Sequence, residues 1–292
     1  MKLGLIAGGG ELPKYVAMAA RASGSPITTL ALQPTAKAED FKNAKALHIG
    51  QLGKAFKTFK KAGCTHVCMA GIVKRPDFSK IKPDLKAVTK LPSIIRAAGQ
   101  GDDALLRHMM KLFENEGFEI VSPQEICADL LLGEGVLGAA AFESAHRDDA
   151  LKACQMAREI GRLDIGQAAI VARGVTLAVE AQEGTDEMLA RAAKLPEPLR
   201  GTQVKRCGVL AKLIKTGQDK RVDMPTIGPE TVRGAAKAGL AGIVAEAGQA
   251  FVIDREEVIK LADETGIFIA GIPAHDKLQN KSQDKPQDPS HD

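Results

Sequence analysis

Residues 2–13 read KLGLIAGGGELP, and this stretch decides the class of fold. An apolar run of strand length ends in Gly8, Gly9 and Gly10, and Pro13 then opens a helical pattern over 13–22. Proline suits the first turn of a helix, where its missing N–H has no partner to lose. A strand, a glycine turn and a helix start bring backbone N–H groups and the positive end of the helix dipole to one point, where a phosphate can sit. The stretch is neither standard fingerprint. Gly8 and Gly10 match the first two glycines of G-x-G-x-x-G, but Pro13 stands at the third, and the lysine and hydroxyl of a P-loop are missing. Two readings stand: an anion or nucleotide site over Gly8, Gly9, Gly10, Glu11, Leu12 and Pro13, or a tight structural turn.

Working outward, ITTLAL (27–32), AKALHI (44–49) and THVCMA (65–70) read as strands. The segment LGKAFKTFKKAG between the last two places Leu52, Phe56 and Phe59 on one helical stripe. Helices are expected over 91–99 and 102–117, a strand at 118–121, and a further helix from Pro123. Strands separated by helix-length patterns mean a mostly parallel sheet, here a Rossmann-like domain over 1–132. In such a sheet a ligand meets the carboxyl ends of the strands. The chain offers Gly71 with Lys74 and Arg75 at one such end, and Gly101 with Asp102 and Asp103 at another.

The glycines and small residues of 133–146 break this rhythm and are read as a linker. Beyond them the pattern changes to α+β over 147–273. A helix starts at 147, and two strand-like runs over 167–181 join at Arg173-Gly174 as a hairpin. Helices and short strands then alternate to residue 272. The residues 274–292 are rich in Asp, Lys, Gln, Pro and Ser and are expected to be a disordered tail.

Composition narrows the function. The 292 residues are 45% hydrophobic and 26% charged, the balance of a globular protein with a real core. Aromatics make up 3%, with no Trp and one Tyr, which argues against stacking platforms for nucleic acid and against membrane aromatic belts. No apolar run reaches the ~20 residues of a membrane span, and no signal peptide is read at the start; a cytoplasmic protein is expected. The five cysteines are odd in number and scattered, so reduced thiols are expected rather than a disulfide framework. Net charge is +4, but residues 36–90 carry thirteen Lys/Arg against four Asp/Glu. That excess suits an anionic ligand or lipid surface, and equally a solvated lysine-rich face.

A second constellation lies in LDIGQ (163–167), EAQEGTD (180–186) and QDKRVDMPTIGPET (218–231). Its acids, Asp164, Glu180, Glu183, Asp186, Asp219 and Asp223, fall in Gly-, Gln- and Pro-interrupted loops, where reactive groups concentrate. Hard carboxylates with few histidines are the ligand chemistry of Mg²⁺ or Mn²⁺, not of zinc. The same acids can equally cap helices, as Asp186 would for the helix behind it. The six His form no HExxH and no His-x-His pair, and there is no G-x-S-x-G elbow, so zincins and serine hydrolases of the α/β type are disfavoured.

Taken in order, GLIAGGGELP, GIVKRP, the GDD helix start, LDIGQ, EAQEGTD and QDKRVDMPTIG resemble the UDP-2,3-diacylglucosamine pyrophosphatase family of lipid A biosynthesis, the LpxI type. The likeness runs from residue 2 to about 272. It implies hydrolysis of the diphosphate of UDP-2,3-diacylglucosamine to UMP and 2,3-diacylglucosamine 1-phosphate (lipid X), with Mg²⁺ (or Mn²⁺) as cofactor and two domains clasping the substrate. Asp223 matches the family's catalytically essential aspartate. Gln218, Asp219 and Arg221 are carried over as its catalytic neighbours, and Asp223, Glu180 and Glu183 as metal ligands. Substrate contacts are expected at residues 8–13, Gly71, Lys74, Arg75, Gly101, Asp102, Asp103, Gln167, Thr185 and Thr226. No nucleic-acid partner is implied, and a homodimer is left open.

Two acyl chains of roughly twelve carbons, at about 0.8 kcal/mol per CH₂, strand on the order of 15–20 kcal/mol in water. The substrate must then be met at a membrane, implying a peripheral protein at the inner face of the inner membrane, through the basic 36–90 stretch. The apolar stretch 128–142 is a candidate wall for the chains, or simply core. Two rivals remain. One is a non-catalytic nucleotide- or lipid-binding protein, which has no need of convergent acids beside an anionic ligand. The other is a dinucleotide-dependent oxidoreductase, which Pro13 and Gln33 (where an acid is usual) disfavour.

Overall fold

The computed structural model describes residues 1–73, 77, 81–215, 221 and 224–273. They form two compact units. The first comprises Met1–Leu130 and takes in Arg221 and Met224; the second holds the remaining described residues from Leu131 on.

The first unit is built on a five-stranded, fully parallel sheet. Its strands are β1 (Leu3–Ala7), β2 (Ile27–Gln33), β3 (Lys45–His48), β4 (His66–Ala70) and β5 (Glu119–Ile120), in the order β3-β2-β1-β4-β5. The order reverses at β1, so the connections that follow the paired strands β1 and β4 lie on opposite faces of the sheet; this is where an open parallel sheet leaves a crevice.

Strand alternation sends neighbouring side chains to opposite faces, and each face has its own core. Leu3, Leu5 and Ala7 pack with Val16, Ala17 and Ala20 of α1 (Leu12–Ala22). On the other face Leu30, Leu47 and Val67 pack with Phe56 and Phe59 of α2 (Leu52–Ala62) and with Met110 and Phe113 of α4 (Asp102–Glu114). Phe56 meets Phe113 edge to face at 4.8 Å, the arrangement ring quadrupoles favour. Helix α3 (Leu85–Ala98) starts on Asp84, whose carboxylate accepts from Ala87 N–H. A short α5 (Pro123–Ile126) follows β5 and starts on Ser122.

The second unit holds a six-stranded mixed sheet, order β6-β13-β11-β9-β7-β8. β9 (Val209–Lys212), β11 (Gly242–Glu246) and β13 (Phe268–Ile272) are parallel. β7 (Ala168–Ala172) and β8 (Val175–Val179) form the expected hairpin on one edge, β7 pairing antiparallel with β9. Buried Asp149 closes its turn by accepting from the N–H groups of Arg173 and Gly174. One face is covered by α6 (Arg147–Arg162); the other by α7 (Thr185–Ala192), α8 (Pro229–Lys237) and α9 (Arg255–Thr265). A small parallel pair, β10 (Thr226–Ile227) with β12 (Phe251–Val252), lies in the same unit.

The stretch 133–146, read above as a linker, supplies β6 (Gly135–Leu137) at the sheet's other edge, antiparallel to β13. Its partner lies more than a hundred residues away, so no local pattern announces the pairing. Of the apolar stretch 128–142, Leu132 is buried in the second unit's core, with Leu137 packed against it, while Val136 is largely exposed. All five cysteines are free thiols. Burial pushes the Cys127 thiol up to about 11 and that of Cys154 up to about 12, so neither is poised as a nucleophile. No helix among the described residues is long and apolar enough to cross a membrane.

The start of α5 is a reciprocal cap. Glu125 Oε1 accepts from the Ser122 hydroxyl and N–H, at 2.6 and 2.9 Å, and the Glu125 N–H donates to Ser122 Oγ. The Ser122 hydroxyl, then its N–H, holds the Glu125 carboxyl below the usual range. A depressed carboxylate stabilises above its unfolded pKa, and that contribution disappears as pH falls through the folded value. Ser122→Ala is therefore expected to cost about 1 kcal/mol at neutral pH. Thermal unfolding should show the deficit at pH 7 and a smaller one on acidification below about 4.

Candidate functional site

The glycine turn after β1 is tied to the end of β4. Gly8 N–H donates to the Ala70 carbonyl at 2.8 Å; Gly9 and Ile72 exchange both backbone bonds, at 2.8 and 2.9 Å. The approach is so close that side chains are excluded. A Cβ on Gly8 would lie 2.7 Å from the Ile72 carbonyl oxygen. One on Gly71, whose φ is +90°, would lie 2.5 Å from the Gly9 oxygen and 2.6 Å from Pro13 Cγ. The motifs GLIAGGGELP and GIVKRP, far apart in sequence, thus form one piece of backbone.

This settles where the turn's hydrogen bonds go. The N–H groups of Gly8 and Gly9 serve the chain itself, so for these two glycines the structural reading applies. The bonds of the turn do not use the N–H groups of Gly10, Glu11 and Leu12, which stand at the start of the eleven-residue α1. Pro13 has none to give. These three donors, with the helix dipole, are the part of the turn that could receive an anion. Glu11 itself is ion-paired with Lys14 at 2.9 Å, which offsets an acid in that position.

Beside this turn, against the face of the sheet covered by α2 and α4, lies a cavity of about 380 Å³. Gly71 and Ile72 line it, as does Asp102 from the first turn of α4. Asp103 instead pairs with Arg107 one turn on, at 2.9 Å. Gly101, with φ of +120°, starts α4. Lys74 and Arg75 lie outside the described residues.

In the second unit LDIGQ and EAQEGTD meet around Glu180, the residue expected above as a metal ligand. This carboxylate is buried. Its Oε1 accepts from the Thr185 hydroxyl at 2.6 Å and its Oε2 from the Gln167 N–H at 2.9 Å. Gln167 in turn accepts from Leu213 N–H through its backbone oxygen. Glu180 thus clamps the entry to β7, the exit from β8 and the start of α7. Glu183 faces elsewhere: it pairs with Arg191 at 2.7 Å, and backbone hydrogen bonding together with that guanidinium keeps its carboxyl below the usual range. Asp164 pairs with Lys215 at 2.8 Å.

Lys212 was not anticipated. It ends the otherwise apolar β9, is 8% exposed, and donates through Nζ to the Thr226 carbonyl at 2.8 Å. A lysine closing an apolar strand is the sequence signal that could have flagged it, since lysine is almost never buried without a partner. Arg221 forms an ion pair with Glu114 of α4 at 3.0 Å. Gln218, Asp219 and Asp223 lie outside the described residues.

The fit of a divalent cation was tested on these acids. Among the described residues no group of three or more His, Cys, Asp or Glu side chains could hold a metal ion. Glu180 is committed to a hydroxyl and an N–H, and Glu183 to an arginine. The described carboxylates therefore do not make a cation site, and no step of the chemistry is routed through one here.

Comparison with known proteins matches both units. The LpxI N-terminal domain matches residues 2–130 and the LpxI C-terminal domain residues 133–270. The UDP-2,3-diacylglucosamine pyrophosphatase LpxI of Caulobacter vibrioides is 50% identical over 277 residues, covering 94% of this chain and 99% of that protein.

The clamp on Glu180 generates a direct test. In Glu180→Leu both acceptor oxygens are removed, and the Thr185 hydroxyl and the Gln167 N–H lose their shared partner. A cost of roughly 1–3 kcal/mol is expected for leaving a buried polar group unsatisfied, read in urea unfolding of the purified variant. Stability equal to the parent's would rule the clamp out.

Proposed function

The chain belongs to the LpxI family, and from that premise we propose that it hydrolyses the diphosphate of UDP-2,3-diacylglucosamine, giving UMP and 2,3-diacylglucosamine 1-phosphate (lipid X). The observation that carries this reading is the 50% identity to a protein of that name across 94% of this chain and 99% of the other.

The chemistry needs little covalent help. Water attacks one phosphorus, the bridging P–O bond breaks, and the attacking water's proton is released. Positioning and charge neutralisation then do most of the catalysis. Gly10, Glu11 and Leu12 at the start of α1 are the backbone donors proposed for the diphosphate. Arg221, Lys74 and Arg75 are the proposed cationic partners, Arg221 by exchanging Glu114 for phosphate. Asp223 is proposed to align the attacking water. A dependence on Mg²⁺ or Mn²⁺ belongs to the same proposal; of the three ligands expected from the resemblance, Glu180 and Glu183 are engaged by other partners and Asp223 is the one that would hold the ion, which would supply charge neutralisation on the diphosphate.

We place the encounter with this lipid at a membrane surface, on the cytoplasmic side. Helix α3 supports that reading: Leu85 is 88% exposed, Val88 and Ile95 stand on the same side of the helix, and Arg96 lies beside them, with Lys86 and Lys90 further round the same exposed border. An exposed apolar stripe with basic borders suits an anionic lipid surface. The basic excess is partly offset, because Glu116 pairs with both Lys60 and Lys86 at 2.5 Å.

Two experiments test these assignments. Incubation with UDP-2,3-diacylglucosamine in heavy-oxygen water is expected to yield both products, one of them labelled. Asp223→Asn should lose on the order of 10²–10⁴-fold in kcat, and exhaustive chelation should abolish turnover until Mg²⁺ is restored. No product from the parent protein would return the non-catalytic binder to first place. Turnover that survives chelation would remove the metal. In sedimentation with anionic vesicles, binding should fall with added salt and in Leu85→Glu; indifference to both would reject α3 as the contact.

A further inference from the structure

Among the described residues Lys212 is the one buried lysine or arginine. Side chains alternate along β9. Leu210 belongs to the core under α7, α8 and α9, Ala211 to the core under α6, and Lys212 returns to the face of Leu210. It stands opposite Ala168 of β7, at the end of the sheet where Glu180 leaves β8 and meets Thr185 of α7. A buried ammonium carries a desolvation cost that its hydrogen bonds at best offset. A methionine of the same length would fill the space without that cost, so stability does not account for a lysine here.

The task shows in what the ammonium holds. β10 and β12 form a sheet of two strands, and among the described residues no further strand pairs with β10. Phe251 N–H donates to the Pro225 carbonyl at 2.8 Å and Ile253 N–H to the Ile227 carbonyl at 2.9 Å. Those two carbonyls face β12. Because the strand alternates, the Thr226 carbonyl between them faces the other way, where a third strand would stand. The Lys212 ammonium meets it there at 2.8 Å, taking the place of that strand. Three successive carbonyls, of residues 225 to 227, are thereby fixed. Pro225 adds a locked φ, the preceding Met224 is buried, and the next residue back along the chain is Asp223.

We propose that Lys212 is a positioning residue for Asp223: by holding the Thr226 carbonyl it fixes the downstream end of the segment from which Asp223 acts. The inference rests on the function proposed above, in which Asp223 aligns the attacking water, and it adds a residue that works through Asp223 without touching the diphosphate. A carboxylate that sets a water in line with a breaking P–O bond depends on its chain not drifting, since a displacement of about 1 Å can cost on the order of 10²-fold in rate.

The experiment is Lys212→Met in the full-length protein, alone and combined with Asp223→Asn. The single variant should melt at or above the parent temperature, because a buried charge has been removed. Its kcat for UDP-2,3-diacylglucosamine should nevertheless fall about 10²-fold with KM within about twofold of the parent. In single-turnover measurements the double variant should be no slower than Asp223→Asn, since a residue that acts through Asp223 has nothing left to position. Amide exchange of Phe251 and Ile253 should quicken roughly tenfold as β10 loosens from β12. Lys212→Ala is the second variant. Methylammonium, which can donate to the Thr226 carbonyl from the vacated space, should recover roughly tenfold in kcat, and tetramethylammonium, a cation without donors, none. Parental kcat in folded variants overturns the proposal. So does a further loss in the double variant with a raised KM, which would put Lys212 on the phosphate itself. Variants that unfold, or melt well below the parent, make Lys212 a structural residue and overturn it too. A parent that hydrolyses nothing overturns the proposed activity instead; exchange of Phe251 and Ile253 then decides the anchor alone, quickening in Lys212→Met upholding it and parental rates overturning it.

Discussion

The reciprocal hydrogen bonds between Gly9 and Ile72 join the carboxyl ends of β1 and β4, at the point where the parallel sheet reverses its order. Much of the first unit's site follows from that closure. Bringing two backbones this near demands positions without side chains, hence glycine at 8 and 71. Spending the N–H groups of Gly8 and Gly9 on the chain leaves those of Gly10, Glu11 and Leu12 as the turn's outward donors. The same closure sets Gly71 and Ile72 as one wall of an apolar cavity. The turn and the cavity therefore share a few residues of backbone.

The second unit shows a different economy of polar groups. Its conspicuous acids are largely committed to architecture. Glu180 holds three segments together through a hydroxyl and an N–H, Asp149 closes the hairpin, and Glu183 and Asp164 are paired with cations. Buried carboxylates must be satisfied wherever they occur, because the low-dielectric interior makes an unpaired charge costly. A cluster of acids in sequence is thus as much a sign of loops that need internal donors as of a metal site. Lys212 obeys the same rule with the opposite charge, spending a donor on the Thr226 carbonyl.

Much of this was legible in the residues. The strand, turn and helix of 2–22, the parallel order implied by alternating elements, the Arg173-Gly174 hairpin and the family resemblance all rest on local periodicity or on long motifs. The edge strand β6 was not legible, because its pairing with β13 is made across more than a hundred residues and its glycines imitate a linker. The glycine turn was legible as a place but not in its hydrogen bonds. Which N–H groups stay outside the turn's own bonds depends on Ile72, sixty residues further on.

What the chain determined by itself is its list of elements and its kinship, since both are written in patterns of neighbouring residues and in runs too long to arise by chance. What only the tertiary structure decided is how each polar group is spent and where empty space remains. Glu180 became a clamp through the donors that surround it, and the apolar cavity exists because a sheet and three helices leave space between them. Neither fact has a local signature, because both are properties of side chains that meet only after the backbone has closed.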